Sequence, residues 1–156
     1  MTPEIVDYSP ELAPHFERLN MEWLRAMFVV EPLDRELLAN PQTHVIDPGG
    51  HILFARLGDR IVGTCGLEDK GDERFELIKT AVTSGVQGRG IGRLLCERML
   101  AVARKRGARR VFLETNSRCG PAIALYEKLG FVHRPLPPET EFERCDVYME
   151  LDLTVG

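Results

Sequence analysis

The segment Val82-Thr-Ser-Gly-Val-Gln-Gly-Arg-Gly-Ile-Gly92 constrains this chain more than any other, because it places glycines at 85, 88, 90 and 92 between a strand-like and a helix-like run. A glycine-rich turn leading from a strand into a helix leaves backbone N–H groups uncovered, with the positive end of the helix dipole behind them. Such a turn suits a phosphate or pyrophosphate, to which Arg89 and Arg93 can add charge. Spacing narrows the ligand. The dinucleotide fingerprint G-x-G-x-x-G fails because Arg93 stands where its last glycine belongs. The P-loop pattern fails because the interval Gly85 to Gly90 is followed by Ile91 and Gly92 instead of Lys and Ser or Thr. A mononucleotide kinase and a dehydrogenase are both disfavoured.

Periodicity supplies the surroundings of the turn. Leu12, Phe16, Leu19, Trp23 and Met27 recur at helical spacing, so a long amphipathic helix is expected within Asp7 to Met27, after a turn at Ser9-Pro10. Pro32 to Asn40 reads as a shorter helix stopped by Asn40-Pro41, since the residue before a proline is pushed out of the helical region. A loop through Pro48-Gly49-Gly50 follows. Ile52, Phe54 and Leu57, then Ile61 and Val62, flank the turn Gly58-Asp59 and predict a hairpin. Residues 74 to 82 form a third strand, apolar on both faces near its end and therefore central. Gly90 to Arg106 is a helix with the stripe Ile91, Leu94, Leu95, Met99 and Val102, closed by Gly107. Arg110 to Glu114 is a short strand, Pro121 to Leu129 a helix ended by Gly130, Phe131-Val132 the start of another strand, and Asp146 to Leu153 an alternating last strand. This order predicts a mixed α/β (α+β) layer and not a doubly wound sheet.

Composition excludes several partners. With 156 residues the chain fits one domain, 1–156, able to bury a core without staples. Its 20 basic and 24 acidic residues give a net charge of -4, which offers no global basic face to nucleic acid. Fully apolar runs such as Ala26 to Val30 are far too short to span a membrane, and the first residues lack the basic and apolar regions of a signal peptide; a cytoplasmic protein is expected. Cys65, Cys96, Cys119 and Cys145 lack paired spacing, and His15, His44, His51 and His133 lack metal-ligand spacing, so buried free thiols and no metal are expected.

Gln87-Gly-Arg-Gly90-Ile-Gly92, after a strand ending in Ala81-Val82, matches the signature [Q/R]-x-x-G-x-[G/A] and resembles the GNAT (Gcn5-related N-acetyltransferase) family. Arg110-Val-Phe-Leu-Glu-Thr-Asn116 and Ala122-Ile-Ala-Leu-Tyr-Glu-Lys-Leu-Gly-Phe131 look like the next strand and helix block of that family, in the right order. The resemblance implies the GNAT fold: a central, mostly antiparallel twisted sheet of about six to seven strands, flanked by about four helices, with two central strands splayed. It implies acetyl-CoA as cosubstrate, no metal, and a primary amine as acceptor, on a small molecule, an amino acid or a peptide, attacked directly in a ternary complex. The pantetheine arm would pair with exposed backbone at Ala81 and Val82. The pyrophosphate would lie on the N–H groups from Gln87 through Gly88, Arg89, Gly90 and Ile91 to Gly92, with Arg93 nearby. Asn116 and Tyr126 would flank the thioester. Family enzymes are often dimers, and a homodimer is compatible with the sequence.

The chemistry asks for a base, an oxyanion donor and an acid. An amine with a pKa of about 10.4 is mostly protonated at neutral pH, so its proton must be taken. Glu76 lies eleven positions before Gln87, a place that resembles that of the catalytic glutamate in the histone-acetyltransferase branch, and is the candidate base. Tyr126, with an ordinary pKa of about 10, resembles the family's general acid for the departing thiolate. A backbone N–H near Val82 is the expected carbonyl polariser. Cys119 has no activating base nearby in sequence and is not expected to carry an acyl group. Acceptor recognition is expected from about Trp23 to Leu38 and Leu136 to Asp146, where Glu139, Glu141, Glu143 and Asp146 would favour a cation. The alternative is a non-catalytic acyl-CoA sensor or interaction module.

Overall fold

The computed structural model describes residues 2–154. A seven-stranded sheet runs through it in the order β1-β2-β3-β4-β5-β7-β6: β1 is Glu4–Asp7, β2 His51–Leu57, β3 Arg60–Asp69, β4 Arg74–Val82, β5 Arg110–Thr115, β6 Val132–Arg134 and β7 Val147–Asp152. All neighbours are antiparallel except β4 and β5, which run parallel. The expected central strand is the fourth of seven.

Four α-helices cover the two faces: α1 (Ala13–Met27), α2 (Pro32–Ala39), α3 (Ile91–Lys105) and α4 (Gly120–Lys128). On one face α1 buries Phe16, Leu19 and Leu24 with Leu37, Leu38, Ile52 and Phe54. On the other, α3 buries Leu95, Met99 and Ala103 against Val62, Leu67, Val111 and Met149. The alternation of each strand divides its side chains between these two cores. α2 starts with proline at its first turn and a reciprocal cap, in which the Glu31 side chain accepts from the backbone of Asp34 and the Asp34 carboxylate accepts from Glu31 N–H at 2.9 Å.

One element was not anticipated and one expectation is corrected. Glu4–Asp7 is an edge strand that pairs antiparallel with residues 53–56, and a 3-10 turn at Pro10–Leu12 precedes α1. The segment before Pro48 is not simple loop, since Gln42–Ile46 forms a π-helical turn.

β4 carries one irregularity that shapes the molecule. Thr64 pairs with Ala81 and Gly66 with Ile78, so Cys65 alone opposes both Lys79 and Thr80. This is a β-bulge, and Lys79 takes a left-handed conformation there, with φ +52°. Gly66 accommodates it: a Cβ at that position would lie 2.8 Å from the side chain of Ile78 and 3.2 Å from its carbonyl oxygen.

Candidate active site

β4 and β5 stay together for three registers, Arg74↔Arg110, Phe75↔Val111 and Glu76↔Phe112, and then separate. From Leu77 onwards the edge of β4 that faces β5 has no strand partner. A cleft of about 980 Å³ opens in the gap, within the size range of small-molecule sites. Its walls include Ile78 to Val82 of β4, Leu113 to Thr115 of β5 and Tyr126 of α4. Thr83 N–H bonds the Val62 carbonyl at 2.8 Å, so by strand alternation the Val82 N–H points away from β3 and into the gap.

The glycine-rich turn closes one end of this cleft. Gly88 and Gly90 have φ +81° and +78°, which L side chains rarely adopt, and a Cβ on either would meet nothing within 4 Å. The surface they bare is therefore open. Gly90 is the N-cap of α3 with no side-chain cap, and the first helical bond is Leu94 N–H to the Gly90 carbonyl at 3.0 Å. The N–H groups of Ile91, Gly92 and Arg93 thus have no acceptor within the helix, which is an anion site by geometry. Gln87 donates from Nε2 to the Val82 carbonyl at 3.0 Å and holds the turn onto the end of β4. Ile91 sends its side chain into the core, so only its backbone is available. Gly92, Arg93 and Ala81 also line the cleft, whereas Arg89 does not. Arg93 pairs with Glu97 at 3.5 Å.

Glu76 and Tyr126 approach the gap from opposite sides of the sheet. Ile78 packs into the α1/α2 core while Phe75 and Leu77 pack into the α3/α4 core, which puts Glu76 on the α1/α2 side. Burial and the neighbouring charge of Glu68 raise its pKa to about 8, against the pull of Lys70, whose Nζ lies 3.8 Å away; Glu114 and Glu141 push the same way as Glu68. Tyr126 belongs to the α3/α4 core, edge-on to Phe131 with ring centroids 5.9 Å apart. Burial, with Cys96 and Cys65 nearby, raises its phenol pKa well above the ordinary value, so it keeps its proton throughout the neutral range. Asn116 lines the cleft with its amide engaged at both ends, donating to the Arg144 carbonyl at 2.6 Å and accepting from Arg118 N–H at 2.8 Å.

Several contributors carry no signal in the sequence. Glu22 of α1 accepts from the Thr83 hydroxyl at 2.9 Å and from Ser84 N–H at 2.9 Å, tying the helix to the start of the turn. Asp34, fully buried, accepts from Lys79 at 2.5 Å and from both terminal nitrogens of Arg144 at 2.6 and 2.5 Å. Its own burial would raise its pKa, but Arg144 and Lys79 together hold it at about 2. Cys65, Cys96 and Cys145 are buried thiols, as expected, and Cys119 is half-buried at the cleft. Among the described residues no group of three or more His, Cys, Asp or Glu side chains is placed to hold a metal ion, and no helix is long and apolar enough to cross a membrane.

Residues 16–131 match the model of the Acetyltransferase (GNAT) family. The chain is similar to a mycothiol acetyltransferase of Corynebacterium glutamicum, 38% identical over 80 residues, which cover 51% of this chain and 27% of that protein. It spans between about a quarter and just over half of the length of the curated relatives it matches. In three dimensions it is similar to a GNAT acetyltransferase of Staphylococcus aureus, with a TM-score of 0.88 at 19% identity over 97% of this chain and 99% of the other. It is also similar to the PaiA N-acetyltransferase of Thermoplasma acidophilum solved with coenzyme A, with a TM-score of 0.76 at 18% identity over 97% and 99%.

Proposed function

The chain belongs to the GNAT acetyltransferase family, and on that premise we propose that it transfers the acetyl group of acetyl-CoA to a primary amine, with both substrates held in the one cleft. The observation that carries this reading is the divergence of β4 and β5 after three paired residues. A bare strand edge next to a helix N-terminus suits a ligand with amides at one end and phosphates at the other, as acetyl-CoA has. The space around Gly88 and Gly90, which no protein atom fills, supports the same fit.

Acetyl-CoA supplies the activated acyl group, and the chain supplies position and protons. The N–H groups of Ile91, Gly92 and Arg93, with Gly88 and Gly90 baring the backbone, hold the pyrophosphate. The Val82 N–H donates to the acyl carbonyl oxygen as negative charge develops on it, a contribution that grows in a water-poor cleft. Glu76 takes the proton of the incoming ammonium from the α1/α2 side; a base with a pKa of about 8 is well matched to this task near neutral pH. Tyr126, protonated and on the other side of the gap, donates its proton as the thiolate departs. The primary test is release of free thiol from acetyl-CoA with a panel of amino acids, polyamines, aminoglycosides and peptides, alongside a thermal shift titration. Millimolar acetyl-CoA that leaves the melting temperature unmoved overturns the reading.

A further inference from the structure

Phe142 lines the cleft from the connection between β6 and β7, and two cations hold its ring. Lys79 Nζ lies 4.5 Å from the ring centroid and the Arg144 guanidinium 4.6 Å. Both cations end on the same carboxylate, that of Asp34. Asp34 is fully buried and capped into the first turn of α2, Lys79 sits at the bulge of β4, and Arg144 closes the loop that carries Phe142. One residue thus joins three elements around one aromatic ring. Glu31 adds to the anchorage by accepting from Glu143 N–H at 3.1 Å and from Arg144, and Thr140 donates to Glu114 at 2.8 Å.

The cluster lies on the side of the sheet away from the glycine-rich turn. Lys79 follows Ile78, which packs into the α1/α2 core, and the bulge turns both side chains to that side, where Glu76 also stands. The ring therefore bounds the half of the cleft that the cofactor's phosphates do not occupy. Resting on the acetyltransferase reading, we propose that Phe142 is the wall that sets the size of the acceptor pocket, and that Asp34, acting through Lys79 and Arg144, is the positioning residue that fixes it. The wall is held in place because withdrawing either cation would leave the buried Asp34 carboxylate short of a partner. Phe142 thereby biases the pocket toward amines on slender chains over those that carry a ring.

The test reads binding directly. The protein is saturated with coenzyme A, and ethylamine or 2-phenylethylamine is titrated while the fluorescence of Trp23 is followed, the single tryptophan of the chain and a lining residue of the same cleft. Phe142→Ala leaves a hollow of phenyl size, so the affinity ratio of 2-phenylethylamine to ethylamine should rise at least tenfold. Arg144→Lys keeps the charge and loses the fork on Asp34, and should shift the ratio in the same direction by a smaller factor. Coenzyme A affinity and melting temperature of Phe142→Ala should stay near those of the parent, which a general loosening of the fold would not allow. An unchanged ratio, or absence of binding by both amines in parent and variant alike, removes the wall. Failure of coenzyme A itself to bind would instead remove the acetyltransferase reading.

Discussion

Replacing Glu76 by Gln tests the base by the shape of a pH profile. With a pKa of about 8 in the free protein, Glu76 is ionised to roughly 1% at pH 6, 9% at pH 7, half at pH 8 and 90% at pH 9. If ionised Glu76 takes the proton of a bound ammonium, kcat/KM follows that fraction, because it reports the free enzyme. The parent should then gain about 50-fold between pH 6 and 8 and less than about twofold between pH 8 and 9. In Glu76→Gln only free amine can attack. For an amine of pKa about 10.4 its rate should climb about tenfold per pH unit with no bend at pH 8. The deficit of the variant should therefore shrink about tenfold from pH 7 to pH 9. Initial rates of thiol release at subsaturating amine measure both curves, under conditions in which chemistry and not product release limits turnover. A parent profile that climbs straight through pH 8, parallel to that of the variant, would refute the assignment.

The same shift has a consequence for stability whose sign is opposite to the usual carboxylate case. The folded state holds the Glu76 proton more tightly than the unfolded chain, whose pKa is near 4.5. The resulting stability is complete below about pH 4.5 and is lost as pH rises through about 8. The variant should melt at the parent's temperature near pH 4 and above it near pH 9, by at most about 5 kcal/mol of stability.

Gly90→Asp and Gly90→Asn carry the same left-handed strain at φ +78°, roughly 1–2 kcal/mol, and differ in charge, so isothermal titration should find acetyl-CoA at least about tenfold weaker on the Asp variant than on the Asn one. Tyr126→Phe should lose about 10² to 10⁴ in single-turnover rate with little change in melting temperature or acetyl-CoA affinity; full single-turnover activity would rule out the acid. Asp34→Asn leaves the buried Lys79 without its carboxylate and Arg144 with Glu31 alone, and should cost about 3–5 kcal/mol at pH 7 by denaturant unfolding. Because the Asp34 pKa is depressed from 3.8 to about 2, that difference should fade as pH drops from about 4 to below 2.

Most of the glycine-rich end of the cleft was legible in the sequence because its signals are local. The strand 74–82, the turn and α3 follow one another without interruption, and the bounds observed for β4 are those that the alternation and flanking residues predict. Edges were less legible. Glu4–Asp7 is four residues long with two apolar positions, too few for a period of two to stand out, and its strand character comes from pairing with β2 about fifty residues away. The bulge at Lys79 was hidden because Ile78 and Ala81 are apolar whichever face they take, so an inserted residue does not disturb a recognisable pattern. Asp34 is a first-turn acid of α2, a place where a solvated carboxylate is ordinary. Its burial depends on Arg144, 110 residues further on, and no local feature of α2 reports that.

The bulge links these hidden features to the visible ones. Without it, Lys79 would follow the alternation of β4 to the α3/α4 side, and Asp34 would be buried with Arg144 alone. Inserting one residue after Ile78 brings Lys79 to Asp34 and returns Ala81 and Val82 to the register that pairs with Thr64 and Gly63. The strand can thus keep β3 on one edge while its other edge stands free of β5, with the Val82 N–H in the gap. The charges then sort by side. Lys79 and Arg144 are already occupied by Asp34, and among the described residues Glu76 has Lys70 as its ion-pair partner, at 3.8 Å. The other end of the cleft presents unpaired N–H groups at the start of α3. A cation and an anion are therefore drawn to opposite ends of one cleft, which suits the proposed transfer from a pyrophosphate-bearing thioester to an amine.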